Sequence, residues 1–410
     1  MNRSCLAGAA SLLLLALLPG CEYLKDPGLP GRPRWYINSP PRISTPEEVP
    51  EGYNMYVTAF EYPEGYDYIR DTLHGAGASV VLYRDGARVL TLPADGLSPD
   101  ECRVVNGRLY TPVRTGEGTE IRCNGEVLFS YPEEETIENI VSDGESVLTL
   151  GRRLSGGGFT CREDGEVLFS SDRGIPVGPA DGDGALRLDE NGYTLFYGVP
   201  TVSAGAKKSL YYMVRNGAES QLSLPEDVVG LFDAVMSEES VYLVASTSEN
   251  SRTAALFHDG ERRNVSSQTA AKISGLRLFS MGGSMYVTGF QNVSGRTMRY
   301  VWDSSCRILF RKECRNFNWI YPSGSGYYCV ERSDDGVMCY LGNSFFFQTP
   351  GRFWSNRCAV NFGGRFLFAV LEPDGRHSTV YGSDGVAVLT VEGVVTEVCY
   401  SALVLPDEEP

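Results

Sequence analysis

Histidine is scarce in this chain, and no long apolar run occurs after its first eighteen residues. His74, His258 and His377 are the only histidines among 410 residues and lie far apart, so histidine-based metal or proton chemistry has little basis. Basic residues are also outnumbered, with 36 Lys and Arg against 52 Asp and Glu. The resulting net charge of −16 argues against broad attraction to nucleic-acid phosphates, so nucleic acid is not an expected partner.

Catalytic and cofactor signatures are missing as well. A serine on a Gly-x-Ser-x-Gly elbow does not occur, and the glycine-rich pieces Gly75–Gly77 and Gly156–Gly158 lack the third glycine of a nucleotide loop. No closely spaced cysteine pair is matched by a second pair, which argues against zinc. Ala185 occupies the third ligand place of a calcium-like loop in Asp181–Glu190, which favours a solvated turn. We therefore expect no metal and no cofactor, and we assign no catalytic residue.

The first residues of the chain have the pattern of an export signal. Arg3 precedes the apolar run Leu6–Leu18, whose thirteen residues are too few for a hydrocarbon core that needs about twenty. Residues 1–20 are therefore predicted to be a signal peptide. The run ends in Leu18-Pro19-Gly20-Cys21, which resembles the lipobox of bacterial lipoproteins. The alternative is an ordinary cleaved signal followed by an incidental cysteine.

The lipobox resemblance implies that Cys21 receives a diacylglycerol and becomes the new N-terminus. Seven prolines lie between Glu22 and Gly52, a composition typical of an extended tether, so residues 21–52 are predicted to link lipid and domain. An exported, membrane-anchored lipoprotein follows from the resemblance. Glu22, rather than aspartate, next to Cys21 favours the outer membrane, with the domain facing the periplasm or the cell surface.

A repeat governs the chain from Tyr53 onward. An apolar strand, an Asp-Gly or Asn-Gly turn and a short Val- and Leu-rich strand recur at the turn glycines Gly86, Gly125, Gly165, Gly217, Gly260 and Gly385. Two more copies keep the strands without the motif, around Met298–Phe310 and Val337–Phe347. Eight units result, and the 299 residues from Gly86 to Gly385 give about 43 per step, a spacing that suits blades of four strands.

The two ends of this repeat are complementary. The first unit has no strand before Asn54, whereas Val395–Ser401 follows the last hairpin without partners of its own. The architecture resembles the ring closure of β-propellers, in which a C-terminal strand completes the first blade. We therefore predict an all-β fold, a propeller of eight four-stranded blades over residues 53–405, followed by an acidic tail at 406–410. Seven blades would follow if the unit around Ala185–Leu224 were irregular, since its turn lies 52 residues after the previous one.

Two sets of side chains are candidates for chemistry. Cys329 and Cys339 flank a tight turn in adjacent predicted strands and can form a disulfide after export. The second set follows from the propeller resemblance, which implies that the loops joining blades and the loops inside each central hairpin share the face that binds partners. The resemblance implies that aromatic and basic side chains form one patch on that face. Its members are Arg311, Lys312, Arg315, Arg352, Trp354, Arg357, Tyr62, Tyr66, Tyr68 and Arg70.

Three functions remain open at this point. Aromatic side chains with arginines suit carboxylated sugars or acidic peptides, which predicts a non-enzymatic binding or scaffolding module for a glycan, peptide or protein. An exported polysaccharide hydrolase or lyase is the alternative, because paired carboxylates are spatial and acidic residues abound. A purely structural envelope component is the third. The alternative interpretation of the patch is that its members are ordinary solvated loop residues without a ligand.

Overall fold

The computed structural model describes residues 49, 51–63, 77–178, 185–189, 191–203, 206–237, 239–247, 253–265, 272–281, 284–294, 296–314, 318–323, 326–333, 336–362 and 364–402. All of them belong to the compact unit Pro41–Pro410. The predicted signal peptide, Cys21, nearly all of the tether and the acidic tail lie outside these residues, as does half of Asp181–Glu190.

The described strands form eight antiparallel sheets, each a blade. The first four blades contain β1 (Tyr53–Glu61), β2 (Ser79–Arg84) and β3 (Ala87–Pro93); β4 (Arg103–Val105), β5 (Arg108–Arg114), β6 (Thr119–Cys123) and β7 (Glu126–Tyr131); β8 (Glu135–Ser142), β9 (Val147–Arg153), β10 (Phe159–Glu163) and β11 (Glu166–Ser171); and β12 (Ile175–Pro176), β13 (Leu186–Asp189), β14 (Gly192–Ser203), β15 (Ala206–Arg215) and β16 (Ala218–Gln221).

The other four blades follow the same order along the chain. They contain β17 (Gly230–Ser237), β18 (Ser240–Ser246), β19 (Ala254–His258) and β20 (Glu261–Asn264); β21 (Ile273–Met281), β22 (Ser284–Val293), β23 (Arg296–Asp303) and β24 (Ile308–Cys314); β25 (Asn318–Ser323), β26 (Gly326–Ser333), β27 (Gly336–Leu341) and β28 (Ser344–Thr349); and β29 (Ala359–Phe362), β30 (Arg365–Leu371), β31 (His377–Gly382) and β32 (Ala387–Glu392). A short 3₁₀ turn, Asn356–Cys358, precedes β29.

The last strand closes the ring. β33 (Val394–Ala402) pairs antiparallel with β1, with Tyr53 opposite Ala402 and Phe60 opposite Val394. The first blade therefore reads β33-β1-β2-β3, which confirms the predicted propeller, its eight blades and its closing strand. Closure pairs the edge that β1 would otherwise expose.

The irregular fourth unit also has a physical explanation. Its innermost strand is divided into β12 and β13, which both pair with β14 and are separated by the residues between Pro176 and Leu186. An insertion within one strand lengthens the repeat without removing a blade. The longer spacing therefore does not reduce the number of blades to seven.

The Asp-Gly and Asn-Gly turns do more than reverse the chain. In the first five blades the turn Asx residue has a φ of 47–50° and the following glycine a φ of 79–95°, as a type I′ hairpin requires. The Asx side-chain oxygen also accepts a hydrogen bond of 2.8–3.0 Å from a backbone N–H near the start of the second strand of the same blade. The five pairs are Asp85 with Met55, Asn124 with Leu109, Asp164 with Val147, Asn216 with Tyr193, and Asp259 with Val241.

Polar side chains on or beside the innermost strands join neighbouring blades. Asp233 Oδ2 accepts from Leu278 N at 2.8 Å, Glu397 Oε2 from Val104 N at 2.9 Å, and Glu101 Oε2 from Ile137 N at 2.9 Å, while Asn139 Nδ2 donates to Leu186 O at 2.7 Å. The pairing register shifts beside Asn139, Asp233 and Glu397. Such bulges re-aim a side chain, here toward the adjacent blade.

Candidate functional site

The turns between strands define two faces of the ring. The Asx-Gly turns and the turns from first to second strand lie on one side, which we call the hairpin face. The loops joining blades and the loops between second and third strands lie on the other, the connection face. Arg352 pairs through its backbone N–H and C=O with Leu371, the last residue of β30, at 2.8 Å in each direction. The segment 350–358 therefore belongs to the connection face, as predicted for Arg352 and Trp354.

This segment is held by contacts at nearly every residue. A Cβ on Gly351 (φ +122°) would lie 2.3 Å from Leu371 O, so only glycine permits the close approach. Phe353 is fully buried in the core cluster of the seventh, eighth and first blades. Asn356 O accepts from the Tyr321 hydroxyl at 2.9 Å, and Cys358 Sγ lies 3.2 Å from Val395 O. The loop is thus part of the scaffold.

Arg357 extends the same anchoring across the ring closure. Its guanidinium donates to Asp100 O at 3.0 Å and to Cys102 O, and lies 3.1 Å from Glu397 Oε1. The side chain is only 11% exposed. Arg357 therefore lies in the seam between the eighth, first and second blades, whereas the sequence placed it among the open patch residues. Its donors are occupied by the protein itself.

Arg352 and Trp354 are exposed side chains of this rigid loop, as is Pro350 at its start. The indole of Trp354 is 38% exposed, and Arg352 is exposed as well. An indole offers a flat apolar surface, and a guanidinium offers a planar fork of donors for carboxylates. Trp and Arg are the residue types that dominate binding hot spots. A rigid loop loses little conformational entropy on binding, so the pair is pre-organised to contact a ligand.

The remaining patch residues divide into two groups. Tyr62 lies on the connection face at the end of β1 and packs against the core cluster of the first two blades. Arg311 is exposed on β24, whereas Lys312 is buried with Nζ 3.4 Å from the ring centroid of Tyr340. Three patch residues of the first blade and one following the sixth lie outside the described residues: Tyr66, Tyr68, Arg70 and Arg315.

The prediction of a disulfide between Cys329 and Cys339 is wrong, because both cysteines are free in the structure. In the register of β26 and β27, Cys329 is opposite Tyr340, and Cys339 is opposite Val330. Because alternate residues point to opposite faces of a sheet, the two thiols lie on different sides of the seventh blade. Cys339 is a free cysteine in the core of the seventh and eighth blades, while Cys329 packs toward the sixth.

Thiols near the segment 350–358 are unsuited to nucleophilic chemistry. Burial raises the pKa of Cys102 to about 12 and that of Cys358 to about 11. Both side chains are therefore protonated near neutral pH, and a thiolate is the reactive form. These cysteines act as small apolar core residues.

Three acidic side chains of the third blade form ion pairs with arginines. Glu135 is fully buried and lies 2.6 Å from Arg162, which is also within 3.2 Å of Glu133 and stacks 3.7 Å over the ring of Tyr131. Glu138 pairs with Arg152. Of the run Glu133–Glu135, the buried Glu135 therefore contributes to blade packing, whereas Glu133 and Glu134 are exposed.

Two further features bear on function. Among the described residues, no group of three or more histidines, cysteines or acidic residues could hold a metal ion. Within the same residues, no helix has the length and apolarity to span a membrane. The blade-linking side chains of Glu101, Asn139 and Asp233 were not predicted from the sequence. Only Asp233, a polar residue among the apolar residues of β17, had a recognisable sequence signal.

Comparison with known proteins supports the fold alone. No protein-family model matches this chain, and no curated protein sequence matches it. Among solved structures, the dihydro-heme d1 dehydrogenase NirN in complex with DHE aligns with a TM-score of 0.51 at 16% identity, covering 92% of this chain and 78% of NirN. At this identity the similarity is one of fold.

Two other solved structures align more weakly. Apo AztD from Citrobacter koseri gives a TM-score of 0.46 at 11% identity, covering 85% of this chain and 97% of AztD. The β-propeller domain of the Trilobed protease from Pyrococcus furiosus gives 0.43 at 12% identity, covering 75% of this chain and 96% of that domain.

Proposed function

We propose that this protein is a lipid-anchored bacterial envelope protein whose propeller binds or scaffolds a partner without catalysing a reaction. The observation that carries the binding role is the exposed pair Arg352 and Trp354 on a loop fixed by the backbone bridge to Leu371. A single domain with a closed ring presents that loop in one geometry. The partner class is a carboxylated glycan, an acidic peptide or an acidic protein surface.

The anchoring half of the proposal rests on the sequence around Cys21. Two long acyl chains buried at about 0.8 kcal/mol per CH₂ hold a protein at a membrane almost permanently. A proline-rich tether of residues 21–52 would give the ring freedom to reach a partner at a distance. The outer membrane is the proposed location, with the ring facing the periplasm or the cell surface.

The binding role is tested with an array of acidic and neutral glycans and a panel of acidic peptides. We expect saturable binding of acidic members by the exported chain, reduced at least tenfold by Arg352→Ala with Trp354→Ala, since hot-spot truncations cost about 2 kcal/mol or more. Arg307→Ala with Val386→Ala is the matched control, because both side chains are exposed on the hairpin face.

The outcomes separate the candidate functions. Retained binding in the Arg352 and Trp354 double variant would overturn the assignment of this loop. Release of shortened oligosaccharides from a bound glycan would favour the alternative, a polysaccharide hydrolase or lyase. Absence of binding to every glycan and peptide would favour a purely structural component of the envelope.

A further inference from the structure

A pocket of about 310 Å³ opens on the hairpin face between the third and fourth blades. Pockets of roughly 300–1,000 Å³ hold small molecules, so this one suits a compact ligand. It is distinct from the connection-face loop described above. Its polar lining comprises Asp143, Ser146, Glu163, Tyr193 and Asn216, and its apolar lining comprises Leu148, Leu168 and Leu188.

Tyr193 is the unusual member of this lining. It is 7% exposed, and no described residue accepts a hydrogen bond from its buried hydroxyl; the backbone N–H of Gly217, which is directed at the hydroxyl oxygen, is a donor. Burial raises the pKa of Tyr193, so the hydroxyl keeps its proton and can donate. Buried polar groups are normally paired, and a donor without an acceptor at a pocket wall calls for a partner from outside the chain.

The same strand position in other blades shows that a tyrosine is not needed for the fold. Tyr193 N donates to Asn216 Oδ1 at 2.8 Å, the Asx-turn contact that recurs in the first five blades. The residues that make this contact in the other four blades are all apolar: Met55, Leu109, Val147 and Val241. The repeat therefore does not require the hydroxyl at this seam.

The charge of the lining defines the ligand further. Asp143 and Glu163 bring two carboxylates, and none of the lining residues is basic. The pKa of Asp143 is lowered by the hydrogen bond that Ser146 N donates to it at 2.8 Å and by the one from Glu145 N at 2.9 Å, so this carboxylate is charged at neutral pH. A negatively charged pocket favours a cation.

We propose that this pocket binds a small organic amine that carries a short apolar group. The ammonium would lie near the carboxylates of Asp143 and Glu163, the apolar group against the leucines, and an acceptor atom at the Tyr193 hydroxyl. A bare metal ion fits less well, because leucine side chains offer no ligand atoms and no metal-holding group occurs in the described part of the chain.

The rim of the pocket is rigid. A Cβ on Gly192 (φ +106°) would lie 2.1 Å from Asn216 Oδ1, so the two turns meet too closely for any other residue. Asn216 Nδ2 also donates to Asn191 O at 2.8 Å. The pocket is therefore formed before a ligand arrives, which lowers the entropic cost of binding.

Leucinamide is a suitable probe, because it carries one ammonium, an isobutyl group and a carbonyl acceptor. N-acetyl-leucinamide keeps the isobutyl group and the carbonyl but loses the charge. Calorimetry or NMR titration of the full chain should show saturable millimolar binding of leucinamide, at least tenfold tighter than that of the acetylated compound. Equal binding of both compounds, or no saturable binding of either, would overturn the proposal.

Two variants locate the site. Tyr193→Phe keeps the buried ring and should weaken leucinamide binding about five- to tenfold, the loss of one hydrogen bond. Glu163→Gln should weaken it about tenfold and gives an independent reading if Tyr193→Phe alters the urea midpoint of unfolding. Tyr53→Phe and Glu261→Gln are matched controls, because these side chains are exposed on the first and fifth blades. Both control variants should leave the affinity for leucinamide unchanged. Unchanged affinity in both pocket variants would place the amine elsewhere.

Discussion

Arg357 Nη2 lies 3.1 Å from Glu397 Oε1, and the two side chains are 11% and 12% exposed. The pair joins the eighth blade to the closing strand, while Glu397 also accepts from Val104 N in the second blade. Ring closure is therefore secured by the side chains of Arg357 and Glu397 and by a backbone N–H of the second blade, as well as by the pairing of β33 with β1. Single changes at this seam are therefore expected to destabilise the ring.

Arg357→Met should lower the free energy of unfolding by about 3 kcal/mol or more, because it leaves the Glu397 carboxylate buried without its cation. Glu397→Met should cost at least as much, since Val104 N also loses its acceptor. Combining both should cost less than the sum of the two single changes. Urea unfolding measures the free energy of unfolding of the two single variants and the double variant.

The exposed pair Arg296 and Glu313 is the control, with side chains 70% and 49% exposed. Arg296→Met should change the free energy of unfolding by less than about 0.5 kcal/mol. Equal effects at the two pairs would contradict a structural role for the closing seam.

Gly151→Ala tests the buried ion pair of the third blade. A Cβ at Gly151 would lie 1.9 Å from Glu135 Oε2, and Glu135 cannot move without leaving Arg162, 2.6 Å away. We expect a loss of about 2–3 kcal/mol in unfolding free energy. Gly230→Ala is the matched strand glycine, with Ser246 Oγ 3.3 Å from its would-be Cβ, and should change stability by less than about 0.5 kcal/mol. A similar urea midpoint of unfolding for both variants would contradict the close packing of Gly151 against Glu135.

Asp259→Asn tests the turn acceptors through pH. The hydrogen bond from Val241 N lowers the pKa of Asp259, so the charged carboxylate favours the folded state above the unfolded value of about 3.9. That contribution is lost as pH falls through the lowered pKa of the folded state. The Asn variant keeps the acceptor, as Asn124 and Asn216 do in their blades.

We therefore expect the Asn variant to lose less stability than the wild type between about pH 5 and pH 2, measured by thermal unfolding across that range. Asp259→Ala should be less stable at every pH, because Val241 N then loses its acceptor. Parallel pH profiles for the wild type and Asp259→Asn would refute a role for this carboxylate.

Cys21→Ser tests the lipid anchor. In a bacterial host that processes lipoproteins, the wild type should incorporate labelled palmitate and sediment with the membranes. The serine variant should do neither, because the thiol that accepts the diacylglycerol is gone. Cys123→Ser, a change within the ring, should keep both label and location. A wild type without label would indicate an ordinary signal peptide.

Local chemistry explains why much of the fold could be predicted. An Asp-Gly or Asn-Gly pair encodes a type I′ hairpin by itself, so Gly86, Gly125 and Gly165 marked their turns without any knowledge of neighbours. The missing strand before Asn54 and the surplus strand after Val394 could be matched because strand pairing needs partners in equal number. The eight-bladed ring followed from these two facts.

The site was less predictable because solvent exposure is a property of the packed ring. Arg352, Trp354 and Arg357 lie in one short segment of the sequence. Only Arg357 is held in the closing seam, by Glu397 and by the carbonyl groups of Asp100 and Cys102 between the first and second blades. Cys329 and Cys339 seemed able to pair because they flank one turn, but a register in which Cys339 faces Val330 places them on opposite sheet faces.

The sequence by itself therefore determined the turn type and the strand that closes the ring, since these depend on backbone preferences and strand counting. It also predicted eight blades, but the seven-bladed alternative was removed only by the divided strand β12 and β13. Only the tertiary structure decided which polar side chains serve the scaffold and which remain open. Hydrogen bonds between neighbouring blades are formed by the side chains of Glu397, Asp233 and Asn139, whose partners lie in distant parts of the chain. Tyr193 lines a pocket because the third and fourth blades meet beside it. Such contacts depend on how blades pack, and no local pattern encodes them.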